Sequence, residues 1–212
     1  FASAEEFYRS ALEMRRSLHG ETHPDVASTT GHLGSALRRM GRLEAAETFI
    51  RGALEIRLRD RRSTNEEIAS AWNNLGSFLR EHGHLDEAMM ASDRALQMIE
   101  AERGPDDWRV AQALRNRAAC SIAGDDLVAA GADLERAVVI FEARVPADHP
   151  WLASTRAELA ELRLRLGALE DAESLARASL ESLRRRLDPE HPKVVEASRL
   201  LASILVARGR PD

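Results

Sequence analysis

Cysteine is almost missing from this 212-residue chain. Cys120 stands alone, so neither an intrachain disulfide nor a multi-cysteine metal site is available. Aromatic residues make up only 4% of the sequence, and Val, Ile, Thr and Tyr are too sparse for a sheet-rich protein. No apolar run approaches the ~18 residues that a membrane-spanning helix needs, and no membrane partner is expected. No signal peptide is visible in the opening FASAEEFYRS, which is already amphipathic. Because the chain starts with Phe1, it is expected to be excised from a longer protein or trimmed to its ordered part. A cytoplasmic location is expected. A basic excess is missing too: 35 acidic residues against 30 basic ones leave a formal net charge of −5, which argues against nucleic acid as the main partner. Lys193 is the only lysine, a bias expected of a GC-rich bacterial genome more than of function. Finally, there is no GxSxG elbow, no HExxH pair and no GxxxxGK(S/T) phosphate loop. The chain is therefore expected not to be an enzyme, and to need no cofactor and no metal.

What the sequence does have is Ala, Leu, Arg and Glu, all good helix formers, and a 44% apolar fraction that can supply a core. It also has an internal period. Gly41, Gly83, Gly167 and Gly209 share one register of 42 residues, with Asp125 in the remaining slot and Gly124 just before it. Leu43, Leu85, Leu127 and Leu169 recur at the same interval, as do Ala46, Ala88, Ala130 and Ala172. Ala53, Ala95 and Ala137 follow, with Ser179 in the fourth copy; His23-Pro24, His149-Pro150 and His191-Pro192 also share a register. No insertion or deletion disturbs the period, and such self-similarity is the mark of a repeat architecture.

Each period reads as two helices. A first-type helix is expected over 23–40, with copies near 65–82, 107–124, 149–166 and 191–208. A second-type helix is expected over 44–60, with copies near 86–102, 128–144 and 170–186, and an unpaired copy over about 3–18. Thr22 with Asp25, and Thr64 with Glu67, have capping-box spacing. Pro24, Pro150 and Pro192 fall in a first turn, where a missing N–H costs little. The recurrent glycine suits a C-terminal cap with φ > 0. Gly34, Gly76, Ala118, Ala160 and Ala202 form one column of small residues that lets neighbouring helices approach. Leu33, Leu75, Leu159 and Leu201 flank it and are expected in the core, with Arg117 breaking their column. The expected organisation is a single array over 1–212: an unpaired second-type helix at 1–20, complete pairs at 22–62, 64–104, 106–146 and 148–188, and a terminal helix at 190–212.

The second copy carries Trp72, Leu75, Gly76, Leu79, Gly83, Leu85, Ala88 and Ala95, which resembles the tetratricopeptide repeat pattern, with leucines for the usual aromatics at 79 and 85. The 42-residue spacing and the stretches THPDVASTT, EEIASAWNNLG, ADHPWLASTRAELA and EHPKVVEASRLLA resemble the kinesin-light-chain subtype. The resemblance covers nearly the whole chain. It implies an all-α, right-handed superhelical solenoid of antiparallel helix pairs, in which first-type helices line a concave groove that holds a protein or peptide. It also implies a place beside switch or effector domains of a larger bacterial protein, one of which is a candidate ligand. Self-association is the alternative role.

Carried over by column, the groove residues are His32, Arg38, Asn73, Asn74, Arg80, Arg115, Asn116, Glu158, Glu161 and Arg199. Asn74 and Asn116 are one period apart, and an amide offers a peptide backbone both a donor and an acceptor. Arg80 and Arg115 suit acidic side chains or a terminal carboxylate. With His32 and three arginines early and Glu158 and Glu161 late, an acidic ligand segment is expected toward the N-terminal half.

Other conspicuous residues read as structural. Histidines one repeat apart, on the order of 10 Å in such arrays, are too distant to share a metal, so the His-Pro pairs are expected to start helices. His82 and His84 flank Gly83 at a helix end, where positive charge suits the dipole. Cys120 lies in a mostly apolar column and is expected to be buried. Asp106-Asp107 and Asp125-Asp126 are expected to cap helices or meet solvent. Trp72 and Trp108 are expected to pack, with Trp151 partly exposed.

Overall fold

The computed structural model describes residues 2–209. Among them are ten helices and no strand. They belong to two compact units, Phe1–Gly104 and Pro105–Asp212. The first holds α1 (Ala2–His19), α2 (Pro24–Arg39), α3 (Leu43–Arg59), α4 (Asn65–Glu81) and α5 (Leu85–Arg103). The second holds α6 (Trp108–Ala123), α7 (Leu127–Arg144), α8 (Pro150–Arg165), α9 (Leu169–Arg184) and α10 (Pro192–Ala207). Within the first unit α2 pairs with α3 and α4 with α5; within the second α6 pairs with α7 and α8 with α9. α1 lies against α2, and α10 against α9.

The helix boundaries follow the period closely, and the caps explain why. His23, His149 and His191 each occupy the N-cap in extended backbone. In each, the ring Nδ1 accepts the backbone N–H two residues on, that of Asp25, Trp151 or Lys193, at 3.1–3.2 Å. The following proline fills the first helical position, where no N–H is needed. One expectation is corrected here. Thr22 and Asp25 form no capping box, because His23 is the N-cap and its ring takes the role. The box at Thr64 and Glu67 does form, with both reciprocal bonds present.

The turn between paired helices is a repeated Schellman cap. Gly41 N–H donates to Arg38 C=O at 3.0 Å and Arg42 N–H to Leu37 C=O at 3.0 Å. The same two bonds recur after α4, α6 and α8. This geometry needs a left-handed residue. Gly41, Gly83 and Gly167 supply it with φ between 74° and 81°, and Asp125 supplies it at φ 62°. The substitution of aspartate into the glycine column therefore preserves the turn, in a conformation that Asp tolerates better than most residues. Gly124 is the C-cap residue just before it and is not left-handed, with φ −86°.

The small-residue column sets the spacing within pairs. A Cβ at Gly34 would fall 2.8 Å from Ile50 Cγ1, 3.1 Å from Ile50 N and 3.3 Å from Ala46 C=O. At Gly76 the nearest atoms would be Ser92 Oγ at 3.1 Å and Ala88 C=O at 3.2 Å. Ala118 and Ala160 are buried at the same place, as are Leu33, Leu75 and Leu159 beside it. Leu201 is only half-buried and Ala202 is exposed, because no second-type helix follows α10 among the described residues. Arg117, the exception among the leucines, directs its guanidinium to the Asp133 carboxylate of α7 at 2.6 and 2.8 Å. Cys120 is buried as expected.

Candidate functional site

In the first unit a depression of about 170 Å³ opens over α3 between α2 and α4. Its apolar lining comes from Ala27, Ile50, Ala53 and Ala71, and its polar lining from Ser28, His32, Ser35, Ser70 and Asn74. Arg57 of α3 also lines it, with Nη2 donating to Ser28 Oγ at 3.0 Å and Nη1 lying 3.1 Å from Glu67 Oε1. Glu67 is held below the ordinary glutamate range, first by the N–H of Thr64 and further by Arg57. Such a surface offers hydroxyls, an amide and an imidazole around a small apolar floor. His32 and Asn74 are both exposed there; the His32 ring also meets Tyr8, with centroids 5.8 Å apart.

The remaining expected residues of this unit are placed differently. Arg38 pairs with Glu81 of α4 at 3.4 Å, and Arg80 reaches within 3.9 Å of the same carboxylate. Neither arginine lines the depression. Asn73 is half-buried, and its Oδ1 is buried without a protein hydrogen-bond partner.

In the second unit a larger depression, about 360 Å³, is lined by Arg115 of α6, by Ser154, Glu158 and Glu161 of α8, and by Lys193, Glu196 and Leu200 of α10, with Ser179 and Leu183 of α9 below. The structure brings two of the expected residues together as partners. Arg115 Nε donates to Glu158 Oε2 at 3.0 Å, and its Nη2 engages Oε1 as well. This fork-to-carboxylate geometry is the strong form of the contact. It neutralises one cation and one anion that the sequence presented as separate ligand contacts. Glu161 remains exposed, beside Lys193 and Glu196. Asn116 and Arg199 are exposed on α6 and α10, outside this lining.

Sequence reasoning missed one column altogether. Ser28, Ser70, Ser154 and Glu196 all line these depressions, and all are related by multiples of 42 residues. The signal was present as a recurrent small or polar residue one turn before the His32 column. It carries no charge in most copies and so drew no attention.

Among the described residues, no group of three or more His, Cys, Asp or Glu side chains is placed to hold a metal ion, and no helix is long and apolar enough to cross a membrane. Trp108 and Trp151 stack with centroids 4.7 Å apart, and Arg109 lies over the Trp108 ring at 4.3 Å. Asp107 caps α6 through the N–H of Arg109, and Asp126 caps α7 through that of Ala129.

Paired helices of similar length, Schellman turns at a fixed interval, and polar residues on first-type helices define a helical-repeat protein. Patterns of the tetratricopeptide repeat match residues 1–59, and a second pattern of the same description matches 68–109 and 152–193. The chain belongs to the tetratricopeptide repeat family. A search of curated proteins gave no match. Among solved structures, BtubC (BKLC) from P. vanneervenii superposes with a TM-score of 0.88 at 16% identity, covering 99% of this chain and 85% of that one. A Podosopora anserina putative kinesin light chain with nearly identical TPR-like repeats superposes at 0.75 with 19% identity, covering 88% and 89%. A variant of that same protein does so at 0.77, again with 19% identity and 88% coverage of each chain. At these identities the likeness establishes the fold, in the kinesin-light-chain-like form of the repeat.

Proposed function

We propose that this chain is a protein- or peptide-binding module of a larger bacterial cytoplasmic protein, acting as a scaffold or regulatory domain, with its ligand on the faces of the first-type helices. The observation that carries this reading is the depression of the first unit. Exposed His32 and Asn74 stand over a small apolar floor beside three serines. Amide and hydroxyl groups match the donors and acceptors of a peptide backbone, and a shallow apolar floor accepts a side chain. The second unit offers Glu161, Glu196 and Lys193 around its own depression, which suits a ligand segment carrying both signs of charge. Arg38 and Arg80 are drawn to Glu81, and Arg115 to Glu158, so of the expected residues only His32 is left to favour an acidic segment in the N-terminal half.

The test is a pull-down from lysate of the source cells with residues 1–212, beside an Asn74→Ala/Asn116→Ala variant of equal helicity. Both asparagines are exposed, so the variant is expected to fold. A partner retained by the parent chain and lost by the variant supports recognition by these faces. Purified partner should then bind the variant more weakly by about 1 kcal/mol or more per lost hydrogen bond. A partner retained equally by both moves the binding surface elsewhere.

A further inference from the structure

The two depressions occupy the same place in the repeat, three periods apart, yet their linings differ in charge. Where the first has His32, Ser35 and Ser70, the second has Glu158, Glu161 and Glu196. The cation of the first, Arg57, gives way to Leu183, and Asn74 to Leu200. The second depression therefore has carboxylates where the first has neutral groups, and its floor has lost a guanidinium and gained leucine. Its opening does not depend on α10 standing without a partner of its own. The first depression is open although α4 is packed against α5.

What the second depression can hold depends on which of its charges are already paired. In this unit Glu135, Glu142, Glu158, Glu170, Glu173 and Glu181 each pair with an arginine. Glu161 and Glu196 are the two helical glutamates of the unit that pair with nothing among the described residues. Both line the depression and both are exposed, one on the α8 wall and one on the α10 wall. Arg115 does not serve them, since its guanidinium is forked on Glu158. Lys193 lies one turn before Glu196 on α10 and makes no ion pair among the described residues. One free cation against two free carboxylates leaves the rim negative. Below it, Ala157 and Leu200 are half-buried and Leu183 and Ala197 buried, an apolar floor. Carboxylates above an apolar floor match a side chain that is apolar along its stem and cationic at its tip.

We infer that the second depression receives a lysine or arginine side chain of the peptide ligand, with its methylenes over the Ala157, Ala197 and Leu200 floor and its charge facing the carboxylates of Glu161 and Glu196. This rests on the reading of the chain as a peptide-binding module and specifies a basic residue in the ligand. Charges at such a rim are complementary to the ligand and so decide between ligands more than they add raw affinity. Lys193 opposes the incoming cation, unless an acidic residue of the ligand neutralises it.

The probe is a library of random short peptides displayed on phage and sorted on residues 1–212. Peptides selected by the parent chain should share a lysine or arginine at one position. A Glu161→Gln/Glu196→Gln variant should bind a selected peptide at least about fivefold more weakly, with the loss shrinking as salt is raised. Parent and variant should bind equally once the basic residue of the peptide is replaced by norleucine. Both positions are exposed and both substitutions keep side-chain size, so helicity, checked by circular dichroism, is retained. Lys193→Gln should act in the opposite direction and tighten a peptide that has no acidic residue by about twofold, a sign that general damage to the fold does not produce. Selected peptides with no common basic residue, or peptides that the double variant binds as tightly as the parent, overturn this inference and leave peptide recognition standing. A parent chain that selects no peptide overturns both.

Discussion

Arg117 on α6 and Asp133 on α7 replace a pair of apolar columns by an ion pair, with guanidinium and carboxylate 2.6 and 2.8 Å apart and Asp133 only 6% exposed. Elsewhere these columns hold leucine opposite phenylalanine, alanine or leucine. A lone charge in either column is costly, whereas two opposite charges are tolerated. Arg117→Leu alone should therefore destabilise the chain by roughly 2–4 kcal/mol. That is somewhat less than the about 3–5 kcal/mol of a fully enclosed pair, because the Arg117 side chain is itself 30% open to water. The double variant Arg117→Leu/Asp133→Leu should recover most or all of the loss. Urea denaturation of the four members of this cycle measures the coupling, and additive losses would contradict it.

Asp125 holds the left-handed turn position that glycine holds in the other copies. Asp125→Gly should raise stability by about 0.5–1 kcal/mol, since the left-handed conformation strains any side chain. The ion pair it gives up, Arg165 to Asp125 at 3.1 Å, is solvent-exposed and contributes little. Thermal unfolding should show a rise in Tm. Gly41→Ala and Gly83→Ala should show a fall.

The Gly34 and Gly76 sites differ in their tolerance of a methyl group. At Gly34 the added carbon meets a side-chain carbon at 2.8 Å and a backbone nitrogen at 3.1 Å; at Gly76 its nearest neighbour is a serine hydroxyl at 3.1 Å. Overpacking typically costs about 1–3 kcal/mol, against a gain of up to ~1 kcal/mol in helix propensity. Gly34→Ala should thus be net destabilising, and Gly76→Ala closer to neutral. Chemical denaturation that ranks them in the reverse order would refute this reading of the contact.

Glu67 accepts the N–H of Thr64 at 2.9 Å and pairs with Arg57, so its carboxyl is held below the ordinary range. A depressed folded-state value means that its stabilisation is fully present above the unfolded-state value. It is lost as the pH falls from there through the folded value. Unfolding curves below about pH 5, where an ordinary glutamate begins to protonate, should therefore show Glu67→Gln losing less stability on acidification than the parent chain. Thr64→Ala should cost about 1 kcal/mol at neutral pH and move the Glu67 titration, followed by NMR, only slightly upward, because the backbone N–H of residue 64 that chiefly lowers it remains.

Much of the fold was legible because the determinants are local. A period of 42 residues, glycine or aspartate at the turn, His-Pro at the helix start and small residues in one column all act within a few residues of themselves. The predicted helices accordingly match the observed ones closely at most ends, and only the cap at Thr22 was misassigned. The candidate site was less legible. Register alone put His32 and Asn74 over a depression, but it gave no warning that Arg38 would turn to Glu81 or that Arg115 would turn to Glu158. Those partners are 43 residues apart in each case. Long, flexible side chains choose among neighbours that only the packing of adjacent pairs brings within reach.

The sequence by itself determined the helix pairs, their boundaries, their left-handed turns and the family, because each depends on residue type at short range and recurs at a 42-residue interval without insertion or deletion. Tertiary structure alone decided which charges remain available to a ligand and that Arg117 finds Asp133. These outcomes depend on which helix lies alongside.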